Sequence, residues 1–254
     1  PDFYLTDAMS VIAVSMITKA AATDNPFFLH VAYTAPHWPL HALEEDIAKY
    51  RGHYREGWDS LRQNRHEEQK GMGIVDNKWD ISPRDASSRP WEEAEDKEWE
   101  DLRMAVYAAM IDRMDQGIGK ILTKFEELGE DKNTVIMFLS DNGGCAEFLA
   151  EDTNRPDPSQ YSSPTRDGRS MTIGNRKDLE PGMDTTFMSY DLAWANASNT
   201  PFRRFKRWTH EGGISTPFIL KWPEKITKPA IINEATHIID ISATIYEAAN
   251  ATYP

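Results

Sequence analysis

The stretch Thr134-Val-Ile-Met-Phe-Leu-Ser-Asp-Asn-Gly-Gly-Cys145 decides how the rest of the chain is read. Its first half is an apolar, β-branched and aromatic run, the composition of a strand buried on both faces. It stops on Asp141-Asn142, followed by Gly143-Gly144. A carboxylate and a side-chain amide therefore stand where a strand runs out, at the edge of a sheet where open α/β proteins place ligands. Both are hard oxygen donors of the kind Ca²⁺ or Mg²⁺ takes. The glycines allow a sharp turn and close approach to a ligand. Taken alone, the stretch favours a plainer reading. Asp, Asn and Gly are also the commonest turn residues, and an Asx-turn ends many strands.

Working outward, a long helical pattern leads into this strand. Leu102, Ala105, Val106, Ala109, Met110, Met114, Ile118, Ile121, Leu122, Phe125 and Leu128 mark one apolar face over residues 98–128, and Gly129 stops it. A helix feeding a buried strand predicts a βαβ crossover. Asp112 and Asp115 lie on this helix, where solvated or salt-bridged carboxylates are the common case. Upstream, Met9, Ile12, Ala13, Met16, Ile17 and Ala20 recur at helical spacing over residues 6–22. Phe27-Phe-Leu-His-Val-Ala-Tyr33 then reads as a second buried strand. It runs into Thr34-Ala-Pro-His-Trp-Pro-Leu-His41, where Pro36 and Pro39 restrict the backbone around His37. A rigidly presented histidine at a strand end is a candidate for catalysis or anion binding.

Residues 43–97 are a charged excursion. Tyr50, Tyr54, Trp58 and Leu61 recur every three or four residues, as an amphipathic surface segment would show, and Gly, Pro and Ser signals mark a loop over 71–97. Residues 146–199 form a long polar loop with little periodicity. After it, Arg203, Arg204, Lys206 and Arg207 crowd into Phe202-Arg-Arg-Phe-Lys-Arg-Trp-Thr-His-Glu-Gly-Gly213. A basic cluster on an acidic chain suggests an anionic ligand such as phosphate or sulfate. Strand-like alternation would put Arg204 and Lys206 on one face. A basic strand edge that discourages aggregation is the plainer account of Arg203 and Arg207. Ser215–Pro223 reads as another strand, and residues 240–249 as a final helix.

Composition sets limits. The 254 residues are 40% hydrophobic and carry a net charge of −13, which argues against a general nucleic-acid binder. One cysteine, Cys145, excludes an intrachain disulfide framework and a cysteine zinc cluster. No apolar run approaches the ~20 residues of a membrane span.

A histidine after one strand, an Asp-Asn pair after another and a lysine before Gly-Gly together suit a divalent cation and a tetrahedral oxyanion. On these residues the chain resembles the type I sulfatases of the alkaline phosphatase superfamily, the arylsulfatase-like branch most of all. The matching stretches are PFFLHVAYTAPHWPLHA (26–42), YAAMIDRMDQGIGKIL (107–122), TVIMFLSDNGG (134–144), WANASNTPFRRFKRWTHEGGISTPFILKWP (194–223) and HIIDISATIYEAAN (237–250). The resemblance implies an α/β fold with a mostly parallel central sheet flanked by helices. It implies Asp141 and Asn142 as ligands of one Ca²⁺ (Mg²⁺ being possible), His37 as the contact to the sulfate ester and its leaving oxygen, and Lys206 as the bridge between sulfate oxygens. His210 and His41 take at most a supporting or substrate-facing place.

The family nucleophile is a formylglycine made within Cys-X-Pro-Ser/Ala-Arg, and no such motif occurs in this sequence. The resemblance therefore implies that residues 1–254 are a catalytic-domain piece without the nucleophile region, the upstream metal carboxylates or the C-terminal subdomain, and inactive alone. The expected parent acts on a sulfated small molecule or glycan, in a periplasmic or extracellular space. The rivals are a phosphomonoester, phosphodiester or phosphonate hydrolase of the same superfamily, and a non-catalytic anion- or glycan-binding relative.

Overall fold

The computed structural model describes residues 3–149 and 164–252. Residues 150–163, part of the predicted 146–199 loop, lie outside this description.

The organising element is α4, Lys97–Leu128. Asp96 caps its start by accepting a hydrogen bond from the Trp99 backbone N–H. Gly129 ends it in a left-handed conformation, φ 72°. The Glu130 N–H reaches back to the Phe125 carbonyl, which satisfies a terminal acceptor. Ala105, Val106 and Ala109 on its face are fully buried.

Two further helices pack on α4: α1 (Leu5–Ala21) and the short α2 (Glu44–Ile47). The face by which α1 docks differs from the periodicity-based expectation. Thr6, Ser10, Ala13 and Ile17 are buried, while Ile12 and Met16 are exposed. Small residues set this contact. Ser10 Oγ hydrogen-bonds Tyr33 Oη at 2.8 Å, and a Cβ on Gly117 of α4 would collide with Ser10. The apolar content of α1 therefore exceeds what one packed stripe uses.

The 43–97 excursion is more deeply embedded than an amphipathic surface segment. α3 (Gly57–Gly71) buries Trp58 at 1% exposure, and with it Arg62 and His66. Trp58 meets Trp91 and Trp194 edge-on, at centroid distances of 4.7 and 5.3 Å. Trp194 belongs to α5 (Asp191–Ser198), which lies within the segment expected to be loop. Its indole donates to buried Glu100 at 3.1 Å, and Glu100 also pairs with Arg103. The cluster joins α3, α4 and α5 into the core.

The described residues form four short strands. β1 (Ile136–Leu139) pairs antiparallel with β4 (Phe218–Lys221), with Leu139 opposite Phe218. β2 (Thr172–Ile173) pairs parallel with β3 (Thr186–Phe187). Residues 27–33 form no regular element and join no ladder among the described residues, and Phe28 is 72% exposed. The predicted second buried strand therefore forms no ladder among the described residues, and none of its side chains is buried. β1 likewise finds its partner in antiparallel β4, not across a parallel crossover. The short α6 (Glu211–Ile214) precedes β4, and α7 (Ile238–Ala248) follows it. α7 buries none of its side chains against the rest.

Candidate active site

Antiparallel pairing of β1 with β4 brings the residues leaving β1 beside those entering β4. The Gly143 N–H donates to the Gly213 carbonyl at 3.1 Å. Gly143 and Gly144 have no positive φ, so their need is space. A Cβ on Gly143 would collide with the Gly212 carbonyl oxygen, and one on Gly144 with Tyr190 Oη. Gly212 and Gly213 are closed in the same way by the carbonyls of Arg204 and Trp208. Two glycine pairs thus let two loops pass with backbone against backbone.

Asn199 ties the junction. Its Oδ1 accepts from the Gly144 N–H at 2.8 Å, and its Nδ2 donates to the Arg204 carbonyl at 3.2 Å. The Lys206 N–H donates to the Gly144 carbonyl at 3.1 Å. Phe205, 3% exposed, anchors the basic loop in the core. The loop is a run of turns, not a strand, with Arg204 and Arg207 in left-handed backbone. Alternation therefore does not set its side chains. Arg204 pairs with Asp85 at 3.1 Å and lies over Trp208 at 4.5 Å, while Lys206 reaches the other way to His37.

Lys206 Nζ lies 3.0 Å from His37 Nε2. His37 Nδ1 is 2.9 Å from the Trp38 carbonyl, an acceptor, so Nδ1 carries the proton. Nε2 of the neutral ring is then the acceptor, and the Lys206 ammonium donates to it. Trp38 is fixed in turn: its indole N–H is 3.1 Å from Glu147 Oε2 and 3.4 Å from Cys145 Sγ. Glu147 Oε1 pairs with Arg207 at 2.7 Å. His37 and Lys206, 169 residues apart, converge on one point.

Asp141 and Asn142 come just before Gly144, whose carbonyl takes the Lys206 N–H, and are less enclosed. Asp141 is exposed, and its Oδ1 accepts from Asn142 Nδ2 at 2.9 Å. The Asn142 carbonyl is held by Ser140 Oγ at 2.9 Å. Their side-chain oxygens suit a hard cation, yet such an ion takes six to eight oxygens. Among the described residues no group of three or more His, Cys, Asp or Glu is arranged to hold a metal. Asp141 and Asn142 can supply part of a ligand set.

Other candidates resolve into structure. His41 Nε2 donates to the Thr186 carbonyl at 2.6 Å, and burial pulls its pKa below the usual histidine value. It is a neutral brace for β3. Asp112 pairs with Lys49 and bonds Gln116 and Tyr50. Cys145 is buried, which pushes its thiol pKa up and makes it a poor nucleophile. His210 turns its ring edge to Trp208, and its buried Nδ1 has no hydrogen-bond partner among the described residues. Asn199, Trp38 and Glu147 were not singled out by sequence reasoning. Asn199 stands just before Thr200-Pro201 at the head of the basic run, which was the available signal.

A sequence model of the sulfatase family matches residues 2–251. The chain belongs to the sulfatase family. This sulfatase chain is 36% identical over 93% of its length to an uncharacterized sulfatase of Schizosaccharomyces pombe, and 34% identical over 98% to an arylsulfatase of Klebsiella aerogenes. It spans about half the length of these relatives, 41% and 51% respectively. Among solved structures it is similar to Ps i-CgsB, known alone and in complex with k-i-k-neocarrahexaose. That match has a TM-score of 0.55 at 23% identity and covers all of this chain and 36% of the other. The fold is the alkaline phosphatase-like α/β class. No described helix is long and apolar enough to cross a membrane.

Proposed function

We propose that this chain carries the anion-gripping half of a sulfuric ester hydrolase acting on aryl or carbohydrate sulfates. The observation that carries the proposal is the convergence of His37 Nε2 and Lys206 Nζ at 3.0 Å, on a loop whose Lys206 N–H is held by the Gly144 carbonyl just after Asp141–Asn142. An oxyanion entering there replaces an ammonium–imidazole contact with stronger charge-assisted bonds. Lys206 takes the sulfate oxygens and offsets the charge that builds on them during transfer. His37 keeps its Nδ1 proton on the Trp38 carbonyl, so Nε2 is the atom that meets the bridging oxygen. Nε2 carries no proton while it accepts from Lys206; as the imidazolium, with Lys206 turned to the sulfate, the ring can hand its Nε2 proton to the departing alkoxide or phenoxide and return to the neutral form.

Asp141 and Asn142 would hold one Ca²⁺, or Mg²⁺, together with donors from other residues. When bound, such an ion polarises the sulfate oxygens as a Lewis acid. The nucleophile expected of the family, a formylglycine, has no source motif in this sequence. The chain alone should therefore bind a sulfate monoester without turning it over. Sulfatase membership also supports an exported setting, periplasmic or extracellular.

The test is titration of the 254-residue chain with an aryl sulfate, followed through the His37 ring nitrogens by NMR. Saturable binding that perturbs His37 and is lost in Lys206→Ala supports the reading. Binding undiminished by Lys206→Ala overturns it. Sustained Ca²⁺-dependent turnover would overturn the expected inactivity. Preference for a phosphate over a sulfate monoester would move the assignment to a phosphoester hydrolase of the same superfamily.

A further inference from the structure

Among the described residues, four other than glycine hold a left-handed backbone: Asp191, Arg204, Arg207 and Asn250. Asp and Asn tolerate that conformation, because a short polar side chain can bond locally. Arginine has no such compensation, and both arginines flank Lys206. Arg204 has a visible structural task in its contacts with Asp85 and Trp208. Arg207 does not. Its side chain is 76% exposed, and its ion pair is with Glu147. Exposed pairs of this kind add little to stability. Glycine would adopt φ 81° without strain.

The position of Arg207 is informative. It follows Lys206 directly, and Glu147 links it to the indole of Trp38, whose carbonyl orients His37. Arg207 is therefore joined to both arms of the sulfate grip and lies at its solvent-facing rim. A guanidinium has five N–H donors in a planar fork that matches a sulfate or carboxylate. One bond to Glu147 leaves most of them open to solvent.

We propose that Arg207 is a specificity-determining residue that takes a second anionic group of the substrate, a sulfate or carboxylate beyond the one held by His37 and Lys206. The inference rests on the sulfate-ester reading above and narrows its substrate class to polyanionic glycans. A simple aryl monosulfate has no group to reach this arginine. Glu147 is the internal counter-ion that the second anion displaces. Its own negative charge therefore opposes binding, although its other oxygen is needed by Trp38.

The experiment measures equilibrium binding of two probes to the 254-residue chain at low ionic strength. One is a monosulfated disaccharide; the other is the same sugar carrying a second sulfate. The readout is the ratio of the two affinities. Arg207→Gly suits the left-handed backbone, so its thermal midpoint should not fall. It is expected to lower the preference for the disulfated sugar about ten-fold, the loss of one charge-assisted contact. Arg207→Lys keeps the charge without the fork and should lose part of the preference. Glu147→Gln keeps an acceptor for Trp38 and removes the competing charge, so it should raise the preference, an effect a merely structural pair would not produce. An unchanged ratio in Arg207→Gly overturns the inference, as does equal weakening of both probes. Binding of the monosulfate with no advantage for the disulfate overturns this inference alone. Failure of the wild-type chain to bind either probe overturns the sulfate reading together with it.

Discussion

The two halves of the site are built differently. His37 and Lys206 are held by a chain of contacts that runs through Trp38, Glu147, Gly144 and Asn199 into the core. Asp141 and Asn142 are held mainly by each other and by Ser140, at an exposed strand end. The half proposed to grip the anion is braced from within this chain, with His37 Nε2 and Lys206 Nζ held 3.0 Å apart. The half proposed to hold the cation has donors of the right chemistry, but among the described residues no group of three or more His, Cys, Asp or Glu completes a ligand set. Order in a site therefore follows from how many backbone contacts brace it, not from how recognisable its residues are.

The comparison breaks most sharply at the glycine junction the two halves share. Gly143→Ala places a methyl against the Gly212 carbonyl, where backbone must move. It should destabilise the chain by about 3 kcal/mol or more, at the upper end for overpacking, as read by denaturant unfolding. Loss of oxyanion binding should accompany it. A loss below about 1 kcal/mol would mean the junction is soft, and the claimed preorganisation would fall.

Next in size is the contrast between the halves. Lys206→Ala should weaken binding of a sulfate monoester about 10- to 100-fold, the range of a lost charge-assisted hydrogen bond. Asp141→Ala in the metal-free chain should change it by less than about three-fold, because the hydrogen bond of Asp141 is to Asn142 and that of Lys206 to His37. Equal effects from the two variants would show that the halves act as one unit.

A smaller effect separates the two histidines of the 34–41 loop. Burial holds the folded-state pKa of His41 below its usual value, so the unfolded chain takes up a proton first as pH falls. Stability should drop as pH is lowered through about 6.5 and level off once the depressed folded pKa is passed, with a slope of at most about 1.4 kcal/mol per pH unit. His41→Gln should remove that component from paired unfolding curves at pH 7 and pH 5. Identical pH slopes for the variant and wild type would contradict the neutral-brace role.

The smallest effect tests whether close approach is what makes a glycine necessary. Gly119 on α4 has open space where a Cβ would stand. Gly119→Ala should stabilise the chain by about 0.5–1 kcal/mol through helix propensity. Destabilisation there would undercut the same reasoning at Gly143.

The residues now placed around the site were unevenly legible. His37, Asp141, Asn142 and Lys206 were singled out because each follows or precedes a recognisable apolar run, and their order matches a family pattern. Asn199, Trp38 and Glu147 were missed because their partners are far away in sequence. The Trp38–Glu147 contact spans 109 positions and carries no periodic signature. The direction of Lys206 was misread because alternation presumes a strand, whereas two left-handed arginines turn the chain there.

The sequence by itself determined what depends on neighbours within a few residues. That includes the span of α4 and its glycine stop, the strand character of Thr134–Ser140, the rigid setting of His37 between prolines and the local excess of positive charge around Lys206. These follow from steric and periodic rules that act over one or two turns. Only the tertiary structure decided which face of α1 is buried, that the 43–97 excursion joins the core through Trp58, and that β1 pairs with β4. It also decided that Phe27–Tyr33 stays unpaired among the described residues, and that His37 and Lys206 meet. Each of these is set by long-range packing, where a Ser10–Gly117 contact or a pair of facing glycines outweighs local preference.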